Sequence, residues 1–191
     1  MTEYSAIILA GGKSNRMGRK KAELIYQGKT FLDIIIGKLR ELNITDIMIS
    51  GYDQLKAHTT YVEDVYPGKG PLAGIHAGLL KAVSPSVIVL TEDAPLVPVE
   101  YIRKLMAEHE KHSSAITVSE CDGKLQQLPG IYEKSLAPLC EQILKSDKPK
   151  ILSLIEAEGC VRVPFCGDEA EIRGYNTPEE YKKLLDLKRE N

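Results

Sequence analysis

The chain has 191 residues, 43% hydrophobic and 27% charged, with a formal net charge of −2 at pH 7. This composition is that of a globular protein, and the length suits one α/β domain, since domains commonly hold roughly 100–200 residues. The near-neutral net charge gives no indication of a surface for nucleic acid or an anionic membrane, so we expect neither as a partner. A phosphate-rich ligand would need a local basic site.

The predicted elements alternate between short apolar runs and longer amphipathic segments, which indicates βα units and a mostly parallel sheet. Apolar runs predict strands at 4–10, 46–50, 61–65, 86–90, 115–119, 127–132 and 161–165. Periodicity and capping residues predict helices at 32–42, 75–83, 98–109, 135–144, 151–157 and from 178 onward. Because neither a repeat nor a linker interrupts this pattern, we predict a single domain over 1–191.

The cysteines and the hydropathy of the chain indicate the cellular compartment in which the protein is found. The N-terminus does not read as a signal peptide, and no apolar run approaches the roughly 18 residues of a membrane span. The thiols lie apart, without CxxC or zinc-finger spacing, at Cys121, Cys140, Cys160 and Cys166. Scattered reduced thiols are typical of the cytosol, so we expect a cytoplasmic protein, although a disulfide between two of them stays open.

A glycine-rich, basic segment follows the first predicted strand. Ligands of open α/β sheets bind beyond the carboxyl ends of strands, and glycines let backbone N–H groups approach an anion. The segment carries these cations: Lys13, Arg16, Arg19, Lys20 and Lys21. A triphosphate has about four negative charges, which such a loop would neutralise. The glycine spacing fits neither a Walker A loop nor a dinucleotide fingerprint, and a solvated βα turn is the alternative.

The segment 9–24, LAGGKSNRMGRKKAEL, resembles the signature LAGGxSxRMGxDKALL of the molybdenum cofactor guanylyltransferases of the MobA type. Later segments resemble that family's motifs in the same order: GPLAGI at 70–75, DAPLVP at 93–98, LPGIY at 128–132 and NTPE at 176–179. The resemblance therefore spans nearly the whole chain. It implies a Rossmann-like, three-layer α/β/α fold of the nucleotide-diphospho-sugar transferase type.

The resemblance also implies an activity and its participants. The expected reaction transfers GMP from GTP to the phosphate of molybdopterin, with Mg²⁺ as cofactor and release of pyrophosphate. Transient contact with other proteins of molybdenum cofactor biosynthesis is implied as well. LAGG rather than LAAG at the loop favours GTP over CTP.

Site residues follow by position from the same resemblance. Asp93 matches the metal ligand, and Asp64 matches an acid that contacts the nucleoside. The expected nucleotide-binding residues are Leu9, Ala10, Gly11, Gly12, Lys13, Lys21, Asp64 and Asp93. The expected catalytic residues are Arg16, Lys21 and Asp93. Candidates for contacting the acceptor are Lys124, Arg173, Tyr175 and Asn176.

Some positions depart from the family pattern or compete with it. Lys20 stands where the family usually has Asp, and Gly51 stands near the place of a frequent Asn. Glu92 competes with Asp93, because neighbours on an extended chain point to opposite sides and only one would easily face the site. Two alternatives stay open: a nucleotidyltransferase using CTP or another acceptor (a sugar phosphate or cobinamide phosphate), and a non-catalytic nucleotide-binding protein.

Overall fold

The computed structural model describes residues 3–11, 21–52, 54 and 56–186, and within them a seven-stranded sheet carries helices on both faces. The strands are β1 (Tyr4–Leu9), β2 (Ile25–Tyr26), β3 (Lys29–Thr30), β4 (Ile47–Ser50), β5 (Thr60–Val62), β6 (Ser86–Thr91), β7 (Ile116–Cys121), β8 (Lys124–Glu133) and β9 (Val161–Pro164). The helices are α1 (Phe31–Glu41), α2 (Pro71–Lys81), α3 (Val99–His112), α4 (Ala137–Leu144), α5 (Ile151–Glu158), α6 (Glu169–Arg173) and α7 (Pro178–Asp186). Two 3₁₀ turns lie at Lys21–Glu23 and Lys134–Leu136.

The large sheet has the strand order β5-β4-β1-β6-β8-β7-β9. β8 runs antiparallel to both of its neighbours, and every other pairing in this sheet is parallel. The chain moves from β1 outward to β4 and β5, then crosses back to place β6 on the other side of β1. The predicted mostly parallel α/β architecture is confirmed.

Alternating side chains of the inner strands divide the core into two layers. Ala6 and Ile8 of β1 pack in the cluster with α1 and α3, whereas Ile7 packs in the cluster with α2, α4 and α5. The strands read as continuous apolar runs because both faces are covered. The predicted α/β/α layering is therefore confirmed.

Helix α2 lies unusually close to β1 because two of its glycines face the strand. A Cβ at Gly74 would come within 2.7 Å of Leu9 Cδ2, and one at Gly78 within 2.4 Å of Ile7 Cδ1. This approach places Gly70 and Pro71, at the start of α2, beside the carboxyl end of β1. The helix begins earlier than the predicted residue 75, because Pro71 suits the first helical turn.

Some further elements differ from the expected ones. The β2–β3 hairpin and α6 were absent from the predicted pattern, since strands of two residues and a five-residue helix have no readable periodicity. Strands β7 and β8 form a hairpin whose turn, Asp122–Gly123, has positive φ at both residues, as a type I′ turn requires. All four cysteines are free thiols. No helix in the described ranges is both long and apolar enough to cross a bilayer.

Candidate functional site

A cavity of about 420 Å³ opens at the carboxyl ends of three parallel strands. Leu9, Ser50 and Thr91 end β1, β4 and β6, and all three line it. The strand order reverses here, because β4 and β6 flank β1 after connections that run in opposite directions. Ligands of open α/β sheets bind at such switch points.

One wall of the cavity depends on the contact between Gly11 and Gly51. Gly51 has φ +80°, and a Cβ there would lie 2.2 Å from Gly11 Cα and 2.4 Å from Gly11 N. The N–H of Ala10 donates to the Ser50 carbonyl at 2.8 Å, which joins the same two segments. Glycine at position 51, where the family often has Asn, therefore has a steric reason: the backbone of Gly11 leaves no room for a side chain.

Asp64, which follows β5, also lines the cavity. The Ser50 hydroxyl donates to Asp64 Oδ1 at 2.7 Å, which fixes the orientation of the carboxylate. Gly68 and Gly70, in the loop that leads into α2, line the cavity as well. The loop thus presents a held carboxylate and exposed backbone to the same space.

Three segments distant in sequence converge on the ammonium group of Lys21. Lys21 Nζ lies 3.0 Å from Asp93 Oδ2 and donates to Asn176 Oδ1 at 2.6 Å. The Lys21 and Asp93 side chains are 13% and 18% exposed, so the pair is shielded yet reachable. Lys21 comes from the 3₁₀ turn, Asp93 follows β6, and Asn176 precedes α7.

The backbone around Asp93 is held by the segment between α6 and α7. The N–H of Tyr175 donates to the Asp93 carbonyl at 2.8 Å. Gly174 has φ +79°, and a Cβ there would come within 2.6 Å of Asp93 Oδ1. A glycine is therefore required at residue 174 if the carboxylate is to keep its position.

Glu92 also lines the cavity, contrary to the expectation that only one of the two acids would face it. Strand β6 ends at Thr91, so the alternation of an extended chain does not continue through Glu92 and Asp93. Glu92 is 3% exposed, and its Oε2 accepts a hydrogen bond from the N–H of Ala22 at 3.1 Å.

The predicted site residues thus fall into three groups. Leu9, Gly11, Asp64 and Asp93 line the cavity, and Lys21 is joined to it through Asp93. Ala10 is buried and supports the strand end. The remaining predicted residues lie outside the described part of the chain: Gly12, Lys13 and Arg16, together with the unusual Lys20.

A second cavity, of about 610 Å³, lies between α6 and α7. Three of the candidates for acceptor contact, Arg173, Tyr175 and Asn176, line it, and Asn176 links it to Lys21. Arg173 Nη1 is paired with Glu169 Oε2 at 3.3 Å. Lys124, the fourth candidate, is exposed at the start of β8 and is not part of this lining.

Sequence reasoning missed the role of Lys38. It lies in the last turn of α1. Its Nζ donates to the carbonyls of Pro95 and Val97 at 2.6 and 2.7 Å, and so anchors the segment after Asp93. Burial lowers the pKa of Lys38 to about 8. Backbone carbonyls of a remote loop leave no sequence signal that could have indicated this contact.

Comparison with known proteins places this geometry in a family. The family model described as the MobA-like NTP transferase domain matches residues 6–161. A protein named as a probable molybdenum cofactor guanylyltransferase, from Carboxydothermus hydrogenoformans, is 32% identical over 98% of this chain and 98% of its own length. The chain belongs to the MobA-like NTP transferase family. Members of this family are nucleotidyltransferases, and the protein is an enzyme of that class.

Two further proteins are similar to this family member over nearly their whole length. A probable molybdenum cofactor guanylyltransferase from Peptoclostridium acidaminophilum is 31% identical over 97% of this chain and 90% of its own. The crystal structure of molybdopterin-guanine dinucleotide biosynthesis protein A from Archaeoglobus fulgidus superimposes with a TM-score of 0.80. It is 24% identical and covers 98% of this chain and 100% of that one, which shows a shared fold.

Proposed function

We propose that the protein transfers GMP from GTP to the terminal phosphate of molybdopterin and releases pyrophosphate. The observation that carries this proposal is the convergence of Lys21, Asp93 and Asn176 beside the cavity at the strand ends. This cluster joins a cavity suited to a nucleotide to a second one that would receive the acceptor. The relatives named as probable guanylyltransferases support the choice of substrates.

The cavity at the strand ends would hold the nucleoside. Guanine presents N1–H and N2–H donors, which a carboxylate or backbone carbonyls can accept, and Asp64 offers such a carboxylate with its orientation fixed by Ser50. Gly68 and Gly70 leave their backbone open to a flat ring. The start of α2 adds N–H groups that favour a nearby anion.

Lys21 would neutralise the phosphates. Its ammonium already lies 3.0 Å from a carboxylate that faces the same space, so it is positioned before the nucleotide arrives. Such preorganised charge stabilises a transition state without reorganisation during the reaction. Lys13 and Arg16, outside the described ranges, remain predicted contributors to the same charge.

Asp93 would hold Mg²⁺, and the residues present fit that ion. Magnesium commonly takes one or two carboxylates, with water and phosphate oxygens completing its shell. The described ranges contain no group of three or more His, Cys, Asp or Glu residues that could hold a metal alone, and Asp93 would share the ion with the phosphates of the nucleotide. When bound, the ion would neutralise charge on the phosphates.

The acceptor needs no catalytic base in this scheme. A phosphate monoester has a second pKa near 6, so its oxygen is an ionised nucleophile at neutral pH. The new bond forms between that oxygen and the α-phosphorus of GTP, and the bond from the α-phosphorus to the β-bridging oxygen breaks. The protein aligns the two reactants, a contribution that can reach about 7–11 kcal/mol. Arg173, Tyr175 and Asn176 would position the acceptor from the second cavity, with Lys124 as a further candidate.

The test is a turnover assay with molybdopterin, Mg²⁺ and each of GTP, CTP, ATP and UTP. We expect the guanine dinucleotide and pyrophosphate with GTP, and neither after Mg²⁺ is chelated. Product from CTP in place of GTP would refute the guanine assignment, and absence of product with every nucleotide would refute the proposed reaction. We also propose that this reaction takes place in the cytoplasm, in transient contact with other proteins of molybdenum cofactor biosynthesis.

A further inference from the structure

We infer that Glu92 is a positioning residue, which holds the turn carrying Lys21 against the nucleotide cavity. This inference rests on the proposed function, in which Lys21 meets the phosphates. Glu92 would not touch the substrates itself. It would act by restraining the backbone next to Lys21.

The geometry around Glu92 joins the end of the sheet to the turn. Glu92 Oε2 accepts from the N–H of Ala22 at 3.1 Å, and Ala22 is 1% exposed, so the bond is shielded from water. The N–H of Glu92 donates to the carbonyl of Leu9 at 3.0 Å, which fixes Glu92 to the end of β1. Glu92 therefore joins β1, through its backbone, to the 3₁₀ turn, through its side chain.

The turn transmits this restraint to Lys21. Lys21 and Ala22 are adjacent, and the N–H of Leu24 donates to the Lys21 carbonyl at 3.0 Å, which closes the turn. Fixing Ala22 thus fixes the Lys21 backbone, from which the ammonium reaches Asp93 and Asn176. A displacement of about 1 Å in a positioned group can lower a rate by about 10²-fold.

Burial and charge distinguish the task of Glu92 from that of Asp93. Asp93 is partly exposed and faces an ammonium, whereas Glu92 is 3% exposed and faces a backbone N–H. A buried carboxylate is stable only when hydrogen bonds replace its water, and bonds to an ionised acceptor are about twice as strong as neutral ones. Both acids border the cavity, but their contacts indicate separate tasks: Asp93 would bind the ligands, and Glu92 would restrain the turn through Ala22.

A double-mutant cycle tests this inference. The variants are Glu92→Ala, Glu92→Gln, Lys21→Ala and the double variant Glu92→Ala with Lys21→Ala, each assayed for kcat, KM for GTP and the Mg²⁺ concentration at half-maximal rate. Glu92→Gln keeps an acceptor for Ala22 and should stay within a few-fold of wild type. Glu92→Ala should lower kcat/KM by about 10–10²-fold, in line with a shift of the turn.

The expected signature is non-additivity. In the Lys21→Ala background, Glu92→Ala should change kcat/KM by less than about two-fold, because residues that act as a unit do not contribute independently. The Mg²⁺ requirement should be unchanged by Glu92→Ala. If the alanine variant does not fold, Glu92→Leu, which fills a similar volume without an acceptor, takes its place in the cycle.

The outcomes separate this inference from the proposed function. Absence of product from the wild-type enzyme would overturn the proposed function. Wild-type activity in Lys21→Ala would leave the reaction standing and would overturn both the charge-neutralising role of Lys21 and the positioning role of Glu92. An impaired Lys21→Ala in which Glu92→Ala still has its full effect would overturn the positioning role alone. A raised Mg²⁺ requirement in Glu92→Ala would assign the carboxylate to the metal and would also overturn it.

Discussion

Replacing Gly51 by alanine should force apart the two segments that form one wall of the nucleotide cavity. The new Cβ would lie 2.2 Å from Gly11 Cα and 2.4 Å from Gly11 N, where ordinary contact needs about 3.4 Å or more. Both obstacles are backbone atoms, so no side-chain rotation relieves the contact, and Gly11 must move by roughly 1 Å. A displacement of that size in a binding site can lower kcat/KM by about 10²-fold.

Gly28 provides the matched control for the backbone conformation. It has φ +77°, close to the +80° of Gly51, yet a Cβ there would meet nothing within 4 Å. Alanine at either position should lower the free energy of unfolding by about 1–2 kcal/mol, the cost of a left-handed L-residue. Urea unfolding measures this common effect, and GTP turnover measures the additional effect at Gly51. Equal kcat/KM in Gly28→Ala and Gly51→Ala would refute the steric argument.

Three further perturbations test other parts of the molecule. Asp93→Asn should lower kcat by about 10²–10³-fold with little change in melting temperature. The control variant Glu156→Gln, on the exposed side of α5, should keep the wild-type kcat. Equal kcat in the two variants would show that Asp93 has no part in the reaction. Gly78→Ala should lower the free energy of unfolding by about 1–3 kcal/mol, because the new Cβ would collide with Ile7 Cδ1. Ile7→Val removes that Cδ1 and should recover part of the loss in the double variant. Strictly additive losses in urea unfolding would contradict the contact. Burial lowers the pKa of Lys38 from 10.5 to about 8. Between these two pH values the unfolded chain keeps a proton that the folded protein has lost, so the folded protein becomes more stable as the pH rises. The free energy of unfolding of wild type relative to Lys38→Met should therefore increase from pH 8 to pH 10.5, and a constant difference would contradict the buried charge.

The layered fold could be predicted because its signals are local. Apolar runs such as 86–90 are long enough to indicate buried strands, and Pro98 and Thr177 indicate where α3 and α7 begin. The reversed direction of β8 could not be predicted, since hydropathy is the same for either direction. Helix α6 has only five residues, and the Asp168 cap alone is a weak signal.

The site could be predicted only where a motif carries it. Lys21, Asp64 and Asp93 were found through resemblance, and the structure brings Lys21 and Asp93 together. Glu92 and Lys38 hold backbone groups of remote segments, and such contacts follow from the folded path of the chain rather than from any spacing.

The most direct test of the central claim is a crystal structure with Mg²⁺ and a GTP analogue whose bridge between the α- and β-phosphates is a methylene group. We predict that the triphosphate lies within hydrogen-bonding distance of Lys21 Nζ, with guanine beside Asp64 and the metal on Asp93. A nucleotide bound instead between α6 and α7, with Lys21 still paired to Asp93 and no metal beside that carboxylate, would contradict the account.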